Sequence, residues 1–203
     1  MNSRYRRPHQ VISATLCFTA LTFLMACGGK PFNVQPRPTG PAVISGAGTE
    51  VGGLTVQAEA VTDEATLYDT YDANLILAGI LPVRVRLTNS RTEPFEIKRA
   101  RFEVRSASNR KYRAMDAGRA YKRLISYYGI STYSKSGYKE SRTDFESYGL
   151  DTSQPLGAGE SRQGILFFAV PDEEIRGGGL TLICSRLDAR KSGSKANVEI
   201  RLD

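Results

Sequence analysis

The chain has no tryptophan, a single histidine, three cysteines and only one long apolar run in its 203 residues. Without tryptophan there is no Cys…Trp…Cys framework, which excludes the antibody type of β-sandwich. The histidine is His9 and one of the cysteines is Cys17, so both fall within the first 26 residues. That stretch also lacks acidic groups, since no Asp or Glu occurs before Cys27. Arg4, Arg6 and Arg7 lead into residues 11–26, which are apolar or small, including Val11, Ile12, Leu16, Phe18, Leu21, Phe23 and Leu24. A basic segment followed by roughly 15 apolar residues is the profile of a secretory signal, and it falls short of the roughly 20 that a transmembrane helix needs.

The run ends in Leu24-Met25-Ala26-Cys27, followed by polar, glycine-rich Gly28-Gly29-Lys30. This resembles the lipobox of bacterial lipoproteins, Leu-x-Ala-Cys. The resemblance implies that residues 1–26 are a signal peptide that is removed and that Cys27 is lipidated on sulfur and becomes the N-terminus. Two or more acyl chains then hold the protein stably at a membrane where one would not. Gly28, standing where an Asp would signal retention, implies the outer membrane of the bacterial cell envelope, facing the periplasm. On this reading Cys184 has no thiol partner, so no disulfide forms, and no imidazole remains for catalysis.

Loss of the three arginines lowers the formal charge from +7 to +4. The remaining excess is spread along the chain without a basic cluster, so nucleic acid is not an expected partner. No cofactor is expected. Ser108-Asn109-Arg110-Lys111 matches a Ser-x-x-Lys pair, in which a lysine would activate a serine, and Lys191-Ser192-Gly193 resembles the Lys-Thr-Gly element of penicillin-binding proteins. That chemistry needs the serine at a helix start, and here the match falls in a hairpin turn. A Ser108/Lys111 hydrolase or transpeptidase is therefore the alternative, and a non-enzymatic role the main expectation.

Along the chain, residues 27–50 carry Pro31, Pro36, Pro38 and Pro41 and read as a semi-rigid, lipid-anchored spacer. Gly46-Ala47-Gly48 and Gly52-Gly53 lack the G-x-G-x-x-G spacing of a dinucleotide site. Leu54, Val56, Ala58 and Ala60 then alternate with polar residues, as a half-buried strand does. Residues 62–79 read as a solvated acidic loop with Asp63, Glu64, Asp69 and Asp72, without the ligand spacing of a Ca²⁺ site. Further strands are expected around Val83–Leu87, at Phe95–Ile97, Phe102–Val104, Lys111–Met115, Gly164–Val170, Leu180–Cys184 and Val198–Leu202. The run at 164–170 is apolar on both faces, which marks a central, doubly covered strand. Cys184, beside Leu182 and Ile183, reads as a buried, inert thiol.

Only at Asp116 does the period change, with Ala117, Ala120, Tyr121, Leu124, Ile125 and Tyr128 falling on one helical face. Asp116 suits its N-cap and Gly129 its left-handed end. The element order resembles immunoglobulin-like domains of small extracytoplasmic lipoproteins. The resemblance implies an all-β fold, an immunoglobulin-like antiparallel β-sandwich over residues 51–203, with one inserted amphipathic helix in the insertion at 116–150. The expected role is a binding or structural accessory module with an envelope protein partner. Tyrosine and arginine make good interface anchors, so Tyr127, Tyr133, Tyr138 and Arg123 are the candidate partner-binding residues.

Overall fold

Among the described residues, runs of alternating apolar and polar side chains and one doubly apolar run build nine strands. In the computed structural model, which describes residues 29–40, 43–46, 48–189 and 195–202, β1 (Gly48–Val51), β2 (Leu54–Ala60) and β3 (Ile80–Asn89) form a meander. They are followed by β4 (Phe95–Glu96), β5 (Arg101–Arg105) and β6 (Lys111–Met115). Last come β7 (Ser161–Ala169), β8 (Thr181–Ala189) and β9 (Lys195–Arg201). Every pairing between these strands is antiparallel. One sheet runs β1-β2-β3-β7-β6 and the other β6-β5-β8, with β4 and β9 also on β8. Strand β6 belongs to both, pairing with β5 at residues 111–113 and with β7 at residues 114–115, so it turns the corner between the sheets. At the other side β1 and β2 lie against β9. The fold is a mainly antiparallel β-sandwich with a few helices.

Period-two geometry assigns each face. Val83, Val85 and Leu87 on β3, with Leu166 and Phe168 on β7, are all buried. Directly opposite pairs share a face, so Val83↔Leu166 and Leu81↔Phe168 belong to one side of the sheet, while Pro82↔Phe167 and Arg84↔Ile165 belong to the other. The Phe167 face is covered by helices: its ring stacks on Phe145 at 4.9 Å and meets Tyr71 at 6.5 Å. Strand β7 is thus the central strand its double apolar pattern implied, with β3 and β6 beside it.

The helical layer is larger than one helix. Helix α1 (Glu64–Tyr71) occupies what reads as an acidic loop, capped by Asp63, whose carboxylate accepts from Thr66 N at 2.8 Å and Thr66 Oγ1 at 2.7 Å. It buries only Leu67 and Tyr71, so there was no apolar stripe to detect. Helix α2 (Ala117–Tyr127) is the expected amphipathic helix, with Asp116 at its N-cap and Gly129 at φ +62° beyond its end. Helix α3 (Lys135–Ser147) is a second helix in the insertion at 116–150, where a single one is expected, and it buries Gly137, Ser141 and Phe145. That stripe contains one large apolar residue in three, and hydrophobic periodicity cannot reveal it. A short α4 (Asp172–Arg176) completes the set. No helix among the described residues is long and apolar enough to cross a membrane.

Candidate functional site

The segment expected to be a free spacer is built into the domain from residue 29 onward. Phe32 and Val34 are buried with the core, while Asn33 and Gln35 between them are exposed, as in a strand. Their backbone groups are taken up in order along the groove between α1 and α3. Gly29 accepts from Ser134 N at 3.3 Å, and Phe32 accepts from the buried Ser141 hydroxyl at 2.7 Å. Asn33 N donates to the Asp72 carboxylate at 3.0 Å and Gln35 N to the Thr70 carbonyl at 2.9 Å. The Tyr148 hydroxyl donates to Gln35 O at 3.1 Å. Lys30 meets Glu140 at 2.7 Å, a pairing that raises the lysine pKa chiefly through its hydrogen bond.

Phe32 is the keystone of this strap. Its ring lies edge-on to Tyr121 at 6.1 Å and to Tyr128 at 5.8 Å, in an aromatic chain that continues from Tyr121 to Tyr138 and from Tyr138 to Tyr133. Burying a phenylalanine side chain stabilises by roughly 1.5–3 kcal/mol, with some addition from edge-to-face contacts. The backbone of α3 leaves room because residue 137 is glycine: a Cβ there would sit 2.7 Å from the Gly29 oxygen.

Further along, the strap forms one wall of a cleft of about 130 Å³. Arg37, Pro38 and Gly40 form that wall, Thr66, Thr70 and Tyr71 of α1 stand opposite, and Arg84, Gln163 and Ile165 lie on the floor, where the helical layer stops short of covering the sheet. Arg37 donates to Ser147 O at 2.9 Å and Gln163 O at 2.6 Å, and the Gln163 amide donates to Gly40 O at 3.1 Å. Arg84 pairs with Glu59 directly across the β2–β3 ladder. Arg37 has no carboxylate partner among the described residues, so its charge faces the cleft unneutralised. Burial pushes the Tyr71 hydroxyl well above the ordinary tyrosine range, so it stays a neutral hydroxyl there. The cleft therefore combines a flat aromatic and aliphatic lining with guanidinium and hydroxyl donors, a chemistry suited to a small ligand that carries one accepting or anionic group.

Cys27 lies outside the described residues, as do residues 1–26 and Lys191-Ser192-Gly193. Of the candidate interface residues, Tyr127 and Tyr133 are exposed, while Tyr138 is half-buried and stacks on Tyr133 at 5.2 Å. The Arg123 side chain turns back to donate to Ala78 O at 2.8 Å, tying α2 to the loop before β3. Ser108 Oγ lies 2.9 Å from Ser106 Oγ, and neither Ser108 nor Lys111 lines this cleft or a second one of about 240 Å³ beside Phe102 and Arg113. A carboxylate near that turn, Glu174, instead pairs with Arg110 at 3.0 Å. Cys184 is buried between Phe102 and Val198 on the neighbouring strands, and burial pushes its thiol up to about 12. Phe32, Arg37 and Ser141 went unread in the sequence. The one available signal was the alternation Phe32-Asn33-Val34-Gln35 inside a proline-rich stretch.

No protein-family model and no curated protein matches the chain. Among solved structures, it is similar to the yjhA protein of Bacillus subtilis, at 13% identity over 78% of this chain and 97% of that one, with a TM-score of 0.41. It is also similar to a conserved hypothetical protein of Bacillus anthracis, at 11% identity over 75% and 92% of the two chains, with a TM-score of 0.37. An uncharacterized β-sandwich protein of Clostridium difficile 630 gives 12% identity over 81% and 99%, with a TM-score of 0.34.

Proposed function

We propose that this chain is a lipid-anchored, non-enzymatic binding module of the bacterial cell envelope, held at Cys27 and facing the periplasm, with an immunoglobulin-like sandwich as its scaffold. The anchor rests on the Leu24-Met25-Ala26-Cys27 lipobox resemblance and the basic, acid-free segment before it. The chain from Cys27 onward has no histidine, and the Ser108 hydroxyl faces Ser106 rather than Lys111, which favours binding over hydrolysis. The observation that carries the binding role is Arg37: two backbone carbonyls fix its guanidinium at the cleft, and no carboxylate among the described residues neutralises it there. The reading assigns the cleft a small ligand with an anionic or carbonyl group against Arg37 and an apolar body against Tyr71, Val61 and Ile165.

Two experiments test the reading. Labelling cells with a fatty-acid probe should mark the wild-type chain and leave Cys27→Ala unmarked; labelling retained in the variant refutes the anchor. Titration with benzoate, followed by NMR, should shift the amide signals of Thr70 and Gln163, and Arg37→Gln should weaken the effect about tenfold, as loss of one charged hydrogen bond predicts. An unshifted cleft at millimolar benzoate refutes the site.

A further inference from the structure

Five large apolar or aromatic side chains are strongly exposed among the described residues: Tyr127 at 52%, Tyr68 at 48%, Tyr133 at 37%, Leu77 at 36%, and Val43 at 84%. The first four gather at one end of the helical layer. Tyr127 meets Tyr128 at 5.1 Å, and Tyr128 is hydrogen-bonded to Asn74 and also to Tyr68; burial first, and the Tyr68 bond after it, raise the Tyr128 hydroxyl above its ordinary pKa. Leu77 precedes Ala78, whose carbonyl is held by Arg123, one turn of α2 before Tyr127. Tyr133 precedes the N-cap Ser134 of α3. Isolated exposed apolar side chains need no explanation, but a cluster of three tyrosines and a leucine does.

The strap emerges at this same end. The Gly29 carbonyl is fixed to Ser134 N at 3.3 Å, and Cys27 is only two residues away. Two residues span at most about 7 Å, so the acylated sulfur reaches no farther than the surroundings of Tyr133 and the start of α3. A spacer would let the domain float away from the bilayer. A strap docked from Gly29 onward gives it no slack.

We infer that this end of the helical layer, with Tyr68, Leu77, Tyr127 and Tyr133, rests in the headgroup region of the bilayer that carries the Cys27 lipid. The inference rests on the proposed lipid anchor and adds an orientation to it. Tyrosine suits that zone because its ring sits among acyl carbons while its hydroxyl stays hydrated. Lys135 and Lys139 on α3, exposed and without carboxylate partners among the described residues, can direct their amines to phosphate. The neighbouring acidic groups are Asp69, Asp72 and Glu140; Asp72 accepts from Asn33 N and Glu140 pairs with Lys30. Aromatic and aliphatic insertion, more than charge, therefore defines the contact. The cleft opens beside the far half of the strap, at Arg37 to Gly40, where it can stay in water.

The natural lack of tryptophan provides the test. Tyr127→Trp, Tyr133→Trp and, across the sandwich on β6, Arg113→Trp are made in the full chain, purified with its lipid and placed in phosphatidylethanolamine–phosphatidylglycerol vesicles with brominated acyl chains. The mass of the N-terminal peptide is measured on the same samples. Tryptophan at 127 and 133 should be quenched at least about twofold more than at 113 and should emit at shorter wavelength, as in an interfacial belt. A lipid-bearing N-terminal peptide with equal, weak quenching at all three sites overturns the orientation and leaves the anchor standing. An unmodified Cys27 overturns the anchor and the orientation together. Weak quenching in the vesicles combined with crosslinking of residues 127 and 133 to a protein in intact cells overturns the orientation in favour of a protein partner.

Discussion

The hydroxyl of Ser141 is buried and donates to the carbonyl oxygen of Phe32 at 2.7 Å, joining residues 109 positions apart. A serine in the middle of a helix ordinarily gains little from burial. Here it satisfies a strap carbonyl that has left water, and so it locks the strap segment to α3. Ser141→Ala leaves that carbonyl unpaired at a cost of about 1–3 kcal/mol. The strap should then open about ten times more often, read as faster chymotrypsin cleavage after Phe32, while the sandwich stays folded. Cleavage at the wild-type rate would contradict the role of this bond.

Gly137→Ala should act in two directions. Alanine favours a helix over glycine by up to about 1 kcal/mol. Its Cβ, however, would stand 2.7 Å from the Gly29 oxygen and 3.0 Å from the Gly29 carbonyl carbon, and the N-cap hydroxyl of Ser134 is 2.9 Å away. The variant should keep or raise the melting temperature of the sandwich and yet expose Phe32 to chymotrypsin. A strap that stays resistant would mean that the Gly29–Gly137 approach is not a constraint.

Asn89, fully buried at the end of β3, holds its amide nitrogen 2.7, 3.2 and 2.9 Å from the carbonyls of Glu93, Leu156 and Gly157, which share its two hydrogens, and its oxygen accepts from Arg91 N at 3.1 Å. It therefore fastens two loops to the sandwich. Asn89→Ala takes this partner from the Glu93 carbonyl and the Arg91 amide, while Leu156 O keeps Phe95 N and Gly157 O keeps Glu160 N, and a loss of about 3 kcal/mol is expected. For a chain of this size that lowers Tm by roughly 6–12 °C, measurable by calorimetry. A shift under about 2 °C would show that water replaces the side chain without cost.

Cys184 gives a pH signature. Its thiol is raised from 9.0 to about 12 by burial, so the unfolded chain releases this proton first as pH rises. Stability is unaffected by this group below pH 9 and falls as pH climbs from there towards 12. Cys184→Ala should make that decline shallower by about 1.4 kcal/mol per pH unit in urea titrations. Native protein should also resist a bulky thiol reagent until denaturant is added, because a buried thiol has neither access nor thiolate character. Rapid labelling of Cys184 in the native protein would contradict its burial.

How much of this was legible in the sequence follows from how each element buries itself. Alternation places strands such as β2, β3, β5 and β9, the doubly apolar run at 164–170 places β7, and α2 repeats its apolar residues on one face. Helix α1 buries Leu67 and Tyr71 alone, and α3 buries Gly137 and Ser141 for reasons that lie in the strap, so neither carried a periodic signal. The strap hid behind its prolines: Pro31, Pro36 and Pro38 read as a spacer, but a proline also fits an extended segment whose other amides are taken up by α1. Arg37 could not be singled out as a cleft residue, because the residues that hold it, Ser147 and Gln163, are more than 100 positions away.

The most direct test of the docked strap is hydrogen exchange at the Gln35 amide, which donates to the Thr70 carbonyl at 2.9 Å. Measured by NMR in the folded protein, that amide should exchange at least about 100-fold more slowly than in an unstructured chain. Ser141→Ala should remove most of this protection and leave the amides of β3 and β7 unchanged. Exchange of Gln35 at the unstructured rate in the wild-type protein would show that residues 29–40 are a free tether after all.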